Sequence, residues 1–496
     1  MKKIAYSFFA LSLLVTTSCK KEFFDINDSP NSPTEASITP NLLLPRTLTI
    51  TASRTGTSFD YAAFWMGYWS RSGSYGQSIE IESYNITTGF QTGQWTGWYD
   101  ILNDINLMEK KAKAAGSPFY EAAAKTLKAN GFMYLVDQYN NVPYSKAFDI
   151  QGNILPGYDK GEDIYADLFV QLDAAAKLFA SSTADPIAVT SDIMFHGDVT
   201  KWRKFVNTLR LKLLIHESQV VSAAARAAVI AQINADGSGY LGAGETAAVN
   251  PGYAVSDGQQ NPYYNTYKVT ALGILDSYNR ANNYILNTYK ANNDIRYTRV
   301  FSAAAIPLTP ADTYRGTNFG ETLPNSDPYR ANNQSDVAGP GLAVSPTQSQ
   351  PVITSVESLF LQAEAIQRGW ITGTAQTAYE AAIRESYAYL GASATDANTY
   401  IARPNVALNA TGDPIKQIAY QKYLSLIGLS NFEAYVDYRR LGVPSDPAII
   451  SLSGSRNGLN IPLRLLYPQS EYNNNSANVV GQGTINAQTS AIFWDK

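Results

Sequence analysis

Apolar residues recur at helical spacing along most of the chain. In residues 95–116, WTGWYDILNDINLMEKKAKAAG, the positions Trp98, Leu102, Ile105 and Met108 share one face, and Gly116, Ser117 and Pro118 end the run. The next stretch, FYEAAAKTLKANGFMYLVDQYNNVPY, puts Leu127, Gly131, Tyr134 and Leu135 on one stripe and breaks at Asn140, Asn141 and Pro143. A glycine inside a helix costs about 1 kcal/mol relative to alanine, so Gly131 predicts a close neighbour at that point. Two such runs joined by a tight break predict an antiparallel helical hairpin.

The arrangement recurs. Residues 162–179 carry Ile164, Leu168, Leu172 and Ala175 in register, and residues 198–219 follow a polar loop. Residues 355–369 and 375–391 form another pair around Trp370 to Thr374. Pairs of roughly 30 to 45 residues are similar to divergent tetratricopeptide-type repeats. The expected fold is therefore mainly α, a tetratricopeptide-like helical repeat scaffold. Residues 236–270 and 306–350 break the pattern with Gly, Pro, Asn, Ser and Tyr, and loops of such length are more often binding elements than connections.

The N-terminus follows another logic. Lys2 and Lys3 precede an almost wholly apolar run from Ile4 to Val15, then Thr16, Thr17, Ser18 and Cys19, the one cysteine of 496 residues. The apolar run is shorter than the ~20 residues a spanning helix needs, so it reads as a secretory signal, residues 1–18. A cysteine just after small residues permits a diacylglycerol thioether on its sulfur, and the pattern resembles a lipoprotein signal with Cys19 as the lipidated first residue. The alternative is a chance cysteine in a peptide that is simply removed. Each buried methylene contributes about 0.8 kcal/mol, so several acyl chains hold a protein on a bilayer. Residues 19–40, rich in Pro, Asn and Ser, are expected to be a flexible tether, and 41–496 a single water-soluble domain.

Charge narrows the partners. Lys plus Arg number 38 against 42 Asp plus Glu, a net charge of −4, with no basic cluster that could track a phosphate backbone. Nucleic acid is not expected. The two histidines, His196 and His216, form no metal-ligand motif, no Gly-x-Ser-x-Gly elbow or phosphate-binding Gly-Lys loop occurs, and GSGYLG (237–242) follows a helical stretch instead of the strand a dinucleotide site requires. No catalytic residue, metal or cofactor is expected. Glu80 and Glu82 read as solvated face residues; the paired carboxylates of glycoside hydrolases usually come from distant parts of a chain, so spacing does not decide that reading.

Aromatic residues carry the remaining signal. Between Phe59 and Trp95 lie ten aromatic side chains, of which Phe64, Trp65 and Tyr68 have helical spacing and are assigned to the core. Past Ser70 the period vanishes into Gly, Ser and Asn, freeing Arg71, Tyr75 and Tyr84 to project. Aromatic faces stack on the C–H faces of sugar rings while Arg and Asn bond the hydroxyls, the logic of a neutral saccharide site.

Several stretches in order, FFDINDSPNSPTEASITPNLLLP, YLVDQYNNVPYSKAF, YDKGEDIYADLFVQLDAA, GDVTKWRKFVNTLRLKL, SLFLQAEAIQRGW, YQKYLSLIGLSNFEAYVDYRRLGVP and IPLRLLYPQSEYNNN, resemble the SusD/RagB family of Bacteroidetes outer-membrane lipoproteins, and its SusD-like nutrient-binding branch in particular. The resemblance spans essentially the whole chain past residue 20. It implies a cell-surface lipoprotein that captures glycan oligomers or peptides and closes over a SusC-like TonB-dependent outer-membrane transporter. It further implies ligand contacts at Trp69, Arg71, Tyr75, Tyr84 and Asn85, with Tyr314, Asn318, Phe319 and Tyr329 as a later contribution. Asp137, Tyr139, Glu433, Asp437 and Arg439, in the strongest family stretches, are read as structural groups at helix ends. Two rival readings stand beside this one: a surface glycoside hydrolase, and a helical-repeat protein-interaction scaffold whose aromatics are all core.

Overall fold

The structure is a computed structural model that describes residues 37–182 and 186–495. The proposed signal peptide, Cys19 and nearly all of the tether lie outside the described residues. The longer helices are α1 (Pro40–Thr57), α2 (Thr92–Ala114), α3 (Pro118–Tyr139), α4 (Gly161–Ser181), α5 (Val199–His216), α6 (Ala223–Asp236), α7 (Ser355–Gln367), α8 (Ala375–Tyr389), α9 (Pro414–Ser425) and α10 (Asn431–Leu441). Among the described residues four short strands, β1 (Trp69–Arg71), β2 (Ala247–Val249), β3 (Asn279–Ala281) and β4 (Gln350–Ile353), make two antiparallel pairs, β1 with β3 and β2 with β4.

Local chemistry sets the helix boundaries. Gly116 adopts φ +63° after α2, and Pro118, whose missing N–H costs nothing in a first turn, opens α3. Asp198 caps α5 by accepting from the Thr200 and Lys201 amides, Ser222 caps α6, and Thr354 caps α7 through the Glu357 amide. Helices α2 and α3 pack as a hairpin, α3 packs on α4, α4 on α5, and α7 on both α8 and α9. At Gly131 a β-carbon would lie 2.8 Å from Leu102 Cδ2, so the glycine is what lets α3 approach α2. The main hydrophobic core runs from Leu43 to Trp494, with satellite clusters between α7, α8 and α9 and between α5, α6 and α7. Among the described residues no helix is long and apolar enough to cross a membrane.

A buried ion network bolts the helical pairs together. Lys212 of α5 binds Glu357 of α7 at 2.7 Å and Glu433 of α10 at 3.0 Å, and Lys422 of α9 binds Glu433 at 2.6 Å and Asp437 at 3.2 Å. His216 spans Asp137 of α3 through Nδ1 and Glu433 through Nε2, both at 3.0 Å. Burial disfavours its charge, but Glu433 and Asp137 outweigh that and raise its pKa, so the imidazole is held as a cation. Arg439 donates to the Asp137 carbonyl at 2.6 Å and lies over the Tyr435 and Trp494 rings. These groups reach well beyond the helix ends: they join α3, α5, α7, α9 and α10.

Candidate ligand-binding face

The segment after the short helix Asp60–Trp65 leaves helical geometry at Gly67, φ +69°, and enters β1. Pairing of β1 with β3 sets Trp69 opposite Ala281 and Arg71 opposite Asn279. From the later loop, Thr317 Oγ1 donates to the Arg71 carbonyl at 2.7 Å and sits 2.6 Å from Ser70 Oγ. Gln77 Nε2 donates to the Gly320 carbonyl at 2.8 Å, and Arg330 donates to the Gly73 carbonyl. Three stretches, 69–85, 277–281 and 314–334, thus form one loop-built face.

Arg71 is the crossbar of this face. Its Nε donates to Glu82 Oε1 at 2.9 Å, its Nη2 to the Glu321 carbonyl at 2.8 Å and its Nη1 to the Tyr75 carbonyl. Only 6% of it is exposed. Glu82 is buried as well, which corrects the expectation of a solvated acid: burial raises its pKa, and the Arg71 guanidinium opposes that rise. Glu80 is half-buried and accepts from the Thr87 amide at 3.1 Å and hydroxyl at 2.6 Å. Beneath them, Gly320 has φ +77° and a β-carbon there would lie 2.1 Å from Ser451 Oγ, so only glycine lets this loop pass residues 451–453.

The nine residues expected to meet ligand divide into two groups. Trp69, Tyr84 and Phe319 are buried and face inward, so their rings are not available for stacking, contrary to expectation. Trp69 packs on Phe64 and Tyr267 at centroid distances of 6.3 and 4.9 Å. Phe319 lies 6.1 Å from Phe64 and 6.2 Å from Tyr84, whose hydroxyl accepts from the Ser451 amide at 2.9 Å. These rings, with Arg71, form a small core under the loops. The second group is accessible. Tyr75 is 42% exposed and stands edge-on to Tyr278, centroids 5.2 Å apart, its hydroxyl meeting Ser277 Oγ. Asn85 is exposed, and Asn318 is half-buried with its amide donating to Glu321 Oε2 at 2.8 Å. Tyr314 is half-buried, edge-on to Tyr297 at 5.0 Å. Tyr329 is half-buried too; its ring lies 3.3 Å from the Arg315 guanidinium carbon and its hydroxyl donates to Asp312 at 3.1 Å.

Tyr278, Gln77 and Arg330 belong to the face without having stood out in the sequence. The run DSYNR, residues 276–280, was the available signal: a tyrosine among turn-forming polar residues, directly after the apolar ALGIL.

Comparison with known proteins fits this architecture. A SusD-like family profile, described as starch-binding and associating with the outer membrane, matches residues 30–468. The chain belongs to the SusD-like family. A search of curated proteins returned no match. Among solved structures, the SusD-like chain is similar to a SusD homologue from Bacteroides fragilis, with 24% identity and a TM-score of 0.75, covering 92% of this chain and 99% of that one. It is similar to a SusD-like protein from Bacteroides thetaiotaomicron, with 21% identity and a TM-score of 0.72 over 92% and 98% of the two chains. A protein described as chitin-binding matches with 24% identity and a TM-score of 0.71 over 92% and 100%. At these identities the solved structures establish the mainly helical SusD-like fold; the family description places the chain among outer-membrane-associated, glycan-binding proteins.

Proposed function

We propose that this chain is a cell-surface nutrient-binding lipoprotein, a single domain over residues 41–496 anchored through Cys19, that captures glycan oligomers or peptides and hands them to a SusC-like TonB-dependent transporter. The observation that carries the reading is the convergence of two loops about 250 residues apart on one face where the Tyr75 ring remains open to solvent against Tyr278. In this reading Tyr75, Asn85, Tyr314, Asn318 and Tyr329 meet the ligand, while Trp69, Arg71, Tyr84 and Phe319 hold the loops that present them. The arginines around Tyr75 have backbone partners, Arg71 as above, Arg280 at Asp276, Asn279 and Ala331, and Arg330 at Gly73 and Pro324, which leaves ring faces, amides and hydroxyls as the recognition chemistry. That chemistry suits a neutral hydroxylated ligand. Nearby carboxylates are engaged: Glu82 with Arg71, and Glu321 with Asn318. Stacking on one or two rings contributes about 0.5–1.5 kcal/mol each, so affinity is modest and release is easy.

Calorimetry of the protein against a panel of oligosaccharides and peptides tests this. Heat with a glycan, lost in Tyr75→Ala at unchanged thermal stability, is the expected result. Heat with peptides alone moves the nutrient class to protein-derived material, and an unaltered Tyr75→Ala isotherm removes this face from the assignment.

A further inference from the structure

A second cavity shares no lining residue with the loop face. It opens between the first turn of α9, the helix Asn283–Ala291 and the turn 442–446 that follows α10, with a volume of about 350 Å³. Small-molecule sites begin at roughly 300 Å³, so the space fits one small molecule and not an extended chain. Its floor is Val443 and Pro444, both buried, and its walls are the half-buried rings of Tyr284 and Tyr420. Tyr420 presents a flat face together with its O–H group, whereas the Tyr284 hydroxyl is engaged by Tyr423 and Thr288 and that residue offers its ring.

The polar groups around these rings are only partly engaged. Asp413 Oδ1 caps α9, accepting from the Ile415 and Lys416 amides at 3.0 and 3.1 Å, and Asp446 Oδ1 accepts from the Ala448 amide at 2.8 Å. Each carboxylate keeps its other oxygen without a hydrogen bond among the described residues, as do the Tyr420 hydroxyl and the Lys416 ammonium. Burial raises the Tyr420 pKa, and the Asp446 and Asp294 carboxylates add to that, so the phenol stays a neutral donor. Asp413 and Asp446 beside the exposed Lys416 leave the lining net negative, which opposes an anionic ligand. A neutral molecule with several hydroxyls meets acceptors at Asp413 and Asp446, donors at Lys416 and Tyr420, and ring faces for its C–H surface.

We propose that this cavity is a second saccharide site, separate from the loop face, that takes a mono- or disaccharide or the end of a longer glycan. Calorimetry of the full chain in detergent against maltose, cellobiose and N,N′-diacetylchitobiose reads it out. Wild type is expected to show, for at least one of these, a binding event that Tyr420→Ala weakens about tenfold, one stacking contact plus its hydroxyl. Ser445→Trp, which fills the cavity from an exposed turn position and leaves the core intact, should abolish the same event. Tyr75→Ala should leave it in place. If none of the three sugars shows an event sensitive to Ser445→Trp, the inference is overturned. The Tyr75→Ala result then tells the two sites apart: binding lost there alone supports the loop face and refutes this cavity, whereas binding lost in Ser445→Trp alone does the reverse.

Discussion

Glu433→Gln tests whether the buried ion network holds the helical pairs together. Glu433 is fully buried and touches three cations: Lys422 at 2.6 Å, Lys212 at 3.0 Å and His216 Nε2 at 3.0 Å. Glutamine keeps the shape and removes the charge, so the three cations remain buried with fewer partners: Glu357 for Lys212, Asp437 for Lys422 and Asp137 for His216. Removing one member of a buried pair costs about 3–5 kcal/mol because the remaining charge stays desolvated. With an unfolding entropy of roughly 2.1 cal/mol/K per residue, a body of this size shifts by about 1 °C per kcal/mol, so Tm should fall by ~3–5 °C. The pH dependence supplies a second reading. The folded pKa of His216 lies above its ordinary value near 6.5, so its contribution is fully present below that pH and is lost as pH rises through the folded pKa. Burial opposes the Glu433 charge, but Lys212, Lys422 and His216 outweigh it and depress its pKa; its contribution is present above the ordinary carboxylate range and lost as pH falls through the depressed value. In Glu433→Gln the acid-side loss should shrink and the loss on the alkaline side of pH 6.5 should begin at lower pH. Differential scanning calorimetry from about pH 2 to about pH 9 spans both, the acid arm for Glu433 and the alkaline arm for His216. A Tm within 1 °C of wild type at every pH would refute the assignment of a stabilising role to the network.

Three further outcomes are expected. Arg71→Ala removes the crossbar and leaves Glu82 buried without its ion pair, so it should lower stability by about 3 kcal/mol and make the 71–82 loop the first site of limited proteolysis, read by mass spectrometry of early fragments. Gly320→Ala forces a β-carbon against Ser451 at a positive φ, and by the usual cost of such strain should destabilise by about 1–3 kcal/mol, measured by urea unfolding. Cys19→Ala should move the protein from the membrane fraction to the soluble one without changing its far-ultraviolet circular dichroism; full membrane retention would show that something other than lipid at Cys19 holds it.

The helical scaffold was legible because helical burial is periodic. Trp98, Leu102, Ile105 and Met108 are all buried, and Gly131 does have Leu102 against it. In the loops the same kind of reasoning had no period to use. Tyr75 and Tyr84 stand nine positions apart in similar Gly-, Ser- and Asn-rich surroundings, yet one is open and the other buried under residues 451 and 319. Its burial is decided by a segment more than 200 residues later, which no local pattern records. Glu82 misled for the same reason: its partner Arg71 is near in sequence, but both sink only because the 318–321 loop closes over them. The cavity beside Tyr284 and Tyr420 was equally hidden, since its walls come from three separate parts of the chain.

The crossbar at Arg71 also bears on how quickly a ligand could come and go. Its guanidinium holds the Tyr75 carbonyl while β1 fixes its own backbone, so the stub carrying the exposed ring is set before any ligand arrives. A ring already in place has little ordering entropy left to lose on contact, which removes a slow step from association. Small contact area with a prearranged surface gives encounters that are productive and short. Under the proposed function, a carrier built this way would exchange its cargo rapidly and leave retention to whatever lies downstream.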